Sequence, residues 1–154
     1  MKNREKEKSS FFIVLLSSGF YSGYSPFAPG TAGTAVGVLL YLFISRFSLT
    51  AYILFTIALF FAGVWLSTRA EIIFGKKDSG IIVIDEIEGF FITMFLIPKT
   101  VTFIILGFFL FRILDIIKPF SGVQRLEGGL GVMIDDVIAA VIANILLQFL
   151  RIIV

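Results

Sequence analysis

The sequence predicts an all-α integral membrane protein: a compact bundle of about four to five transmembrane helices with an N-terminal interfacial or re-entrant segment. Two observations support this fold class. Of the 154 residues, 58% are hydrophobic and 16% are charged, with a mean hydropathy of +1.01, whereas a soluble domain carries about 25% charged residues. The apolar residues also form runs close to membrane length, separated by short polar breaks.

The length favours one domain. Residues 1–10 contain four basic and two acidic residues, and we assign them to a polar cytoplasmic tail. Residues 11–154 then form a single membrane-embedded domain. Its first apolar run, residues 11–16, is too short to span a bilayer, so we expect an interfacial segment there.

Five longer apolar runs follow. Those at residues 35–47 and 51–66 contain no acidic residue, so we interpret them as scaffold. The runs at 81–97, 100–117 and 132–150 each carry acidic residues near one end. Charged side chains within membrane segments are costly, and they therefore mark candidate functional sites.

The positions of the basic residues predict the orientation of these runs. With the N-terminus in the cytoplasm, the basic connections around Arg69 and Lys118 both become cytoplasmic, as the positive-inside rule requires. Following the membrane crossings in this orientation places five carboxylates at similar depth on the cytoplasmic side: Asp85, Glu86, Asp115, Asp135 and Asp136.

Five neighbouring carboxylates repel one another unless a cation joins them. The chain has neither histidine nor cysteine, which excludes Ser-His-Asp triads and thiolate or imidazole metal sites. With oxygen ligands alone, Mg²⁺ is the natural choice and Mn²⁺ the next. Arg112 and Lys118 beside such a metal are suited to binding phosphate, so the pattern indicates phosphoryl chemistry.

The segment at residues 19–37 is rich in glycine and small hydroxyl residues. Two interpretations remain open. It is either a re-entrant turn followed by a close helix contact, or an anion-binding loop in which Gly30, Thr31 and Gly33 present backbone amides. Its spacing matches no P-loop.

Four motifs resemble those of the phosphatidylglycerophosphatase A family and occur in the family's order: GYSPFAPGTAGT, IVIDEIEG, FRILDIIKP and GGLGVMIDDVIAA. They span Gly23 to Ala140. The resemblance implies a multi-pass enzyme of the bacterial inner (cytoplasmic) membrane, with its active site facing the cytoplasm. It implies an Mg²⁺-dependent removal of phosphate from phosphatidylglycerophosphate in the bilayer, giving phosphatidylglycerol, with no nucleic-acid partner.

The resemblance also assigns residues. Asp85 and Glu86 match the family's first acidic pair and Asp135 and Asp136 its second, so these four are the predicted metal ligands. The predicted catalytic residues are these four and Asp115. The predicted phosphate-binding residues are Arg112, Lys118, Gly30, Thr31 and Gly33.

Three positions depart from the family pattern. Glu127 stands where some members have histidine, and Ser121 replaces a frequent proline. Glu88 replaces an apolar residue, either as an additional metal ligand or as a side chain facing water.

The sequence leaves alternatives in mechanism and in function class. A covalent aspartyl-phosphate route ranks below a metal-activated water, because the DxD motif of haloacid-dehalogenase-type phosphatases is absent. The main functional rival is a small membrane cation transporter, since intramembrane acids also mark ion paths. A transporter should place acids on both sides of the membrane, however. The repeated-Asp motif of CDP-alcohol phosphotransferases is absent from this sequence. A non-enzymatic membrane assembly factor would leave the acidic residues unexplained.

Overall fold

A computed structural model describes residues 2–118 and 128–153 of the chain. Within these residues the regular secondary structure is entirely helical, which confirms the all-α class. The helices are α1 (Lys2–Ser17), α2 (Pro29–Ile44), α3 (Leu49–Phe74), α4 (Ile84–Thr93), α5 (Val101–Ile117) and α6 (Gly129–Ile153). A short 3-10 turn, Ser22–Tyr24, precedes α2.

Two helices, α3 and α6, are long and apolar enough to cross a membrane, judged by length and composition. Their outer faces carry exposed large apolar side chains such as Leu54, Phe61 and Phe149. Extended apolar surface of this kind indicates contact with lipid. By this criterion the described residues contain two spans, rather than the four to five that the sequence predicts.

Helix α1 includes both the predicted polar tail and the apolar run that follows it. One continuous helix runs from Lys2 to Ser17. Phe11 and Phe12 remain exposed, as expected for an interfacial helix. The carbonyl oxygen of Ser17 accepts a hydrogen bond of 2.9 Å from the Val83 amide. This bond fixes the end of α1 beside the start of α4.

Helix α4 lies at the centre of the bundle and is shorter than predicted. Ten residues rise about 15 Å, half of the hydrocarbon thickness of about 30 Å, so the predicted span over 81–97 is wrong as a single helix. The helix ends at Thr93. It does not resume afterwards, because Leu96 adopts a left-handed conformation with φ 57° and Pro98 disfavours helical geometry in the residue before it. Phe90 and Phe91 are fully buried.

The C-terminal end of α4 is tied to α6 by side-chain hydrogen bonds. The Asn144 amide donates to the carbonyl oxygens of Thr93 at 2.9 Å and Phe95 at 2.8 Å. Arg151 donates to the carbonyl oxygen of Leu96 at 3.0 Å. A helix end leaves such carbonyls without partners, and a bilayer supplies no water to replace them. These contacts therefore fix α4 to α6.

Small residues bring the central helices into close contact around the middle of α4. Ala139, Ala140 and Ala143 are buried on α6 against Phe111 of α5. A Cβ added at Gly89 of α4 would lie 2.3 Å from the ring of Phe111. This stripe of alanine residues on α6, together with Gly89, thus packs the three acid-bearing helices together.

Candidate active site

Three carboxylates meet where α4 and α6 begin. Asp85 and Glu86 lie in the first turn of α4 and Asp136 in the second turn of α6. One carboxylate oxygen from each lies within 4.8 Å of the other two. Asp85 is 8% exposed and Asp136 is 2% exposed. The spacing allows one ion to contact all three side chains, which we call the acidic trio.

The trio has the unsatisfied oxygens that a cation site requires. Asp85 Oδ1, Glu86 Oε2 and Asp136 Oδ2 are buried and have no hydrogen-bond partner among the described residues. Burying unpaired carboxylate oxygens is costly unless a charge or donor compensates them. A set of three carboxylate oxygens suits a hard divalent cation such as Mg²⁺ or Mn²⁺. The residues present therefore fit the predicted metal.

Arg112 and Asp115, both from the end of α5, adjoin the trio. Arg112 Nη1 donates a hydrogen bond of 2.6 Å to Asp115 Oδ2 and lies 3.9 Å from Glu86 Oε1. The Nε atom of Arg112 is buried without a partner among the described residues. Asp115 thus orients a guanidinium that keeps one donor unpaired among the described residues.

Lys118 and Asp135 form a second group beside the trio. Lys118 Nζ lies 3.6 Å from Asp135 Oδ2, and Asp135 does not belong to the trio. Burial lowers the pKa of Lys118, but the surrounding carboxylates, those of Asp136 and Asp115 first, raise it further, so the net shift is upward. Lys118 therefore remains a cation. The structure places three of the four predicted ligands together and pairs the fourth with a lysine.

The glycine-rich segment is helical from Pro29 onward. Pro29 occupies the first position of α2, where its fixed φ suits a helix start, so Gly30, Thr31 and Gly33 lie in the first turns of α2 and not in a loop. The first amides of a helix lack intrahelical acceptors. Those of Gly30 and Thr31 are consequently still suited to an anion.

Two of the three glycines of this helix show how closely it approaches α4 and the site. A Cβ added at Gly30 would lie 2.3 Å from Glu86 Oε1 and 2.7 Å from Arg112 Nη2. A Cβ added at Gly33 would lie 2.5 Å from Cβ of Val83. Of the two interpretations of this segment, the close helix contact is the one observed. The anion-binding role stays a prediction.

Lys77 and Asp78 are candidate residues that the sequence did not single out. With Lys118 and Asp135 they line a pocket of about 390 Å³, completed by Gly128, Gly131 and Val132. In the sequence they belong to a basic connection that only indicated membrane orientation. The available signal was a lysine pair directly before an aspartate, which does not reveal its spatial neighbours.

Glu88 faces neither water nor the acidic trio. It is 1% exposed, so it does not face water, and it lies outside the trio. Its Oε2 atom has no hydrogen-bond partner among the described residues. It lines an apolar cavity of about 240 Å³ together with Phe60, Phe61 and Val137. The departures at Ser121 and Glu127 lie outside the described residues.

Comparison with known proteins agrees with the motifs. The model of the family Phosphatidylglycerophosphatase A matches residues 15–151. The chain is 41% identical to Phosphatidylglycerophosphatase A of Haemophilus influenzae, over 86% of this chain and 85% of that protein. It is 35% identical to Phosphatidylglycerophosphatase A of Escherichia coli, over 88% and 81%.

A third relative has a different name. The chain is 40% identical to a Bacteroides thetaiotaomicron protein named "Putative phosphatidylinositol-3-phosphatase", over 94% of this chain and 97% of that protein. No solved structure matches the chain.

Proposed function

Because the chain belongs to the phosphatidylglycerophosphatase A family, it is a lipid phosphatase, and we propose that it hydrolyses the phosphate monoester of phosphatidylglycerophosphate at a cation site formed by the acidic trio. The observation that carries the proposal is the meeting of Asp85, Glu86 and Asp136 within 4.8 Å, each with a buried oxygen left unpaired by the described residues. The product is phosphatidylglycerol. None of the matches reported above is a transporter.

The trio would hold Mg²⁺, with Mn²⁺ as the next choice. Such a cation supplies charge neutralisation on the transferring phosphoryl group and Lewis-acid activation of the attacking water. The protein keeps these ligands in place through close packing, because α2 approaches α4 at Gly30 and α6 approaches α5 along its alanine stripe.

Arg112 and Lys118 divide the task of binding anionic oxygens. Arg112 lies beside Glu86 and Asp115, so its guanidinium is the cation placed to contact the transferring phosphate. Asp115 fixes the orientation of Arg112 by the 2.6 Å hydrogen bond. A fixed guanidinium stabilises charge that develops in the transition state at no reorganisation cost. Lys118 pairs with Asp135 and contacts the remainder of the headgroup.

The site lies at the cytoplasmic surface of the inner membrane in this proposal, within a bundle of four to five membrane-embedded helices. Besides α3 and α6, the outer faces of α2 and α5 carry exposed apolar side chains, including Phe43 and Phe109. Tyr21 and Tyr24, whose ring centroids lie 5.6 Å apart, are exposed before α2, close to the end that holds the trio. Aromatic residues are enriched at the membrane interface, and this supports an interfacial site.

The test is phosphate release by the purified protein from phosphatidylglycerophosphate in mixed micelles, with and without Mg²⁺. Phosphatidic acid and phosphatidylinositol 3-phosphate form two further arms, the second because of the name of the Bacteroides relative. We expect Mg²⁺-dependent release with phosphatidylglycerophosphate as the preferred substrate. No release from it with either Mg²⁺ or Mn²⁺ would contradict the proposal, and preference for the inositol lipid would reassign the substrate.

A further inference from the structure

A polar pocket adjoins the acidic trio, and most of its lining has no role in the chemistry described so far. It has a volume of about 390 Å³ and is formed by the connection between α3 and α4 on one side and the start of α6 on the other. Lys77 and Asp78 come from the connection, and Lys118 and Asp135 complete the charged lining.

Lys118 connects this pocket to the trio. It lines the pocket together with Asp135, and its Nζ atom lies 3.6 Å from Asp135 Oδ2. Asp135 directly precedes Asp136, a member of the trio. The pocket and the trio therefore adjoin each other at these two consecutive residues.

The lining of the pocket is mixed in charge, which limits the ligand chemistry. Asp135 already neutralises part of the charge of Lys118, so the exposed side chain of Lys77 is the cation with the most freedom to bind an anion. Carboxylates accept hydrogen bonds from hydroxyl groups. Two lysines and two aspartates suit a singly charged phosphodiester that carries a hydroxylated linker better than they suit a free phosphate dianion.

We propose that this pocket binds the phosphodiester and the polyol linker of the headgroup while the phosphate monoester lies at the trio, and that Lys77 is a specificity-determining residue that contacts the phosphodiester. The inference rests on the proposed function. It names the feature by which the enzyme selects its lipid, because phosphatidic acid has one phosphate bound directly to diacylglycerol and has neither a linker nor a second phosphate.

The test compares Lys77→Ala with Lys76→Ala, a matched control, because Lys76 is the exposed neighbour that does not line the pocket. Phosphatidylglycerophosphate is the substrate, and phosphatidic acid is the competitor. We expect Lys77→Ala to raise KM about tenfold, the loss of one hydrogen bond to a charged group. We expect kcat and the inhibition constant of phosphatidic acid to stay near the wild-type values. Lys77→Arg should restore most of the affinity, and Lys76→Ala should resemble wild type.

The outcomes separate the two proposals. Wild-type protein that releases no phosphate from phosphatidylglycerophosphate overturns the proposed function itself. An active wild type with an unchanged KM in Lys77→Ala overturns only the pocket assignment. The pocket assignment is also overturned if Lys77→Ala weakens the binding of substrate and competitor equally, or if Lys76→Ala raises KM as much as Lys77→Ala does. Either result indicates a general attraction of anionic lipid.

Discussion

Gly30 and Glu86 approach so closely that a side chain at position 30 would occupy the place of the carboxylate: an added Cβ would lie 2.3 Å from Glu86 Oε1. Helix α2 therefore holds a proposed metal ligand in place by backbone contact. The same Cβ would lie 2.7 Å from Arg112 Nη2, so one glycine makes room for two groups of the site.

Replacing Gly30 with alanine should lower kcat/KM about 100-fold, because a displacement of catalytic groups by about 1 Å has an effect of that size. The fold should persist, since alanine is favoured over glycine within a helix. Phosphate release and the melting temperature check the two statements. Gly80→Ala is the control, because an added Cβ there meets no atom within 4 Å. Equal activity of the two variants would contradict a close role of α2 in the site.

Asp135 and Asp136 are adjacent in sequence, but replacing each of them should affect the kinetics differently. Asp136→Asn removes a member of the trio and should lower kcat more than about 100-fold, since even outer-shell partners of a metal contribute about 10–100-fold. Asp135→Asn removes a partly exposed ion pair with Lys118 and should raise KM no more than about fivefold. Steady-state kinetics of both variants distinguish the roles. An equal loss of kcat in the two variants would indicate that Asp135 is also a metal ligand.

Removal of divalent cations should abolish activity, and Mg²⁺ should restore it. Ca²⁺ should restore little, because it requires about six to eight oxygen ligands and the trio supplies three carboxylates. Binding of a cation to the folded state should also raise the melting temperature of the wild type but not that of Asp136→Asn. A melting temperature that does not respond to Mg²⁺ in the wild type would argue against the trio as a metal site.

Glu88 gives a prediction of stability rather than activity. Its carboxyl group is buried in an apolar environment, with Oε2 unpaired among the described residues, which costs about 1–3 kcal/mol. Glu88→Leu should therefore raise the melting temperature by several degrees and leave the Mg²⁺ requirement unchanged. Glu88→Gln keeps the polar group and should give a smaller gain. Loss of Mg²⁺ affinity in either variant would instead make Glu88 a metal ligand.

The sequence was sufficient to predict the helical class and the approximate positions of the acid-bearing helices. Asp85, Asp115 and Asp136 lie near the ends of apolar runs, and the count of crossings assigns those ends to one side. The structure places these acids where α4 and α6 begin and α5 ends. Hydropathy and charge carry this information because they are local properties of the chain.

The remaining features depend on tertiary contacts. The partner of Asp135 is Lys118, and two adjacent aspartates give no sequence signal of which one joins the acidic trio. Gly30 belongs to a helix although its neighbours resemble a loop, because Pro29 starts α2 directly before it. Lys77 enters a pocket only through the packing of a connection against α6.

The short central helix has a consequence for biogenesis. With ten residues, α4 cannot cross a bilayer independently, and the carbonyls at its end are paired by Asn144 and Arg151 from the last helix. A nascent chain released before α6 would therefore leave those carbonyls exposed to hydrocarbon. Assembly of the bundle is therefore expected to wait for translation of α6, so truncation before this helix should expose the chain to quality-control proteolysis rather than yield a partly active protein.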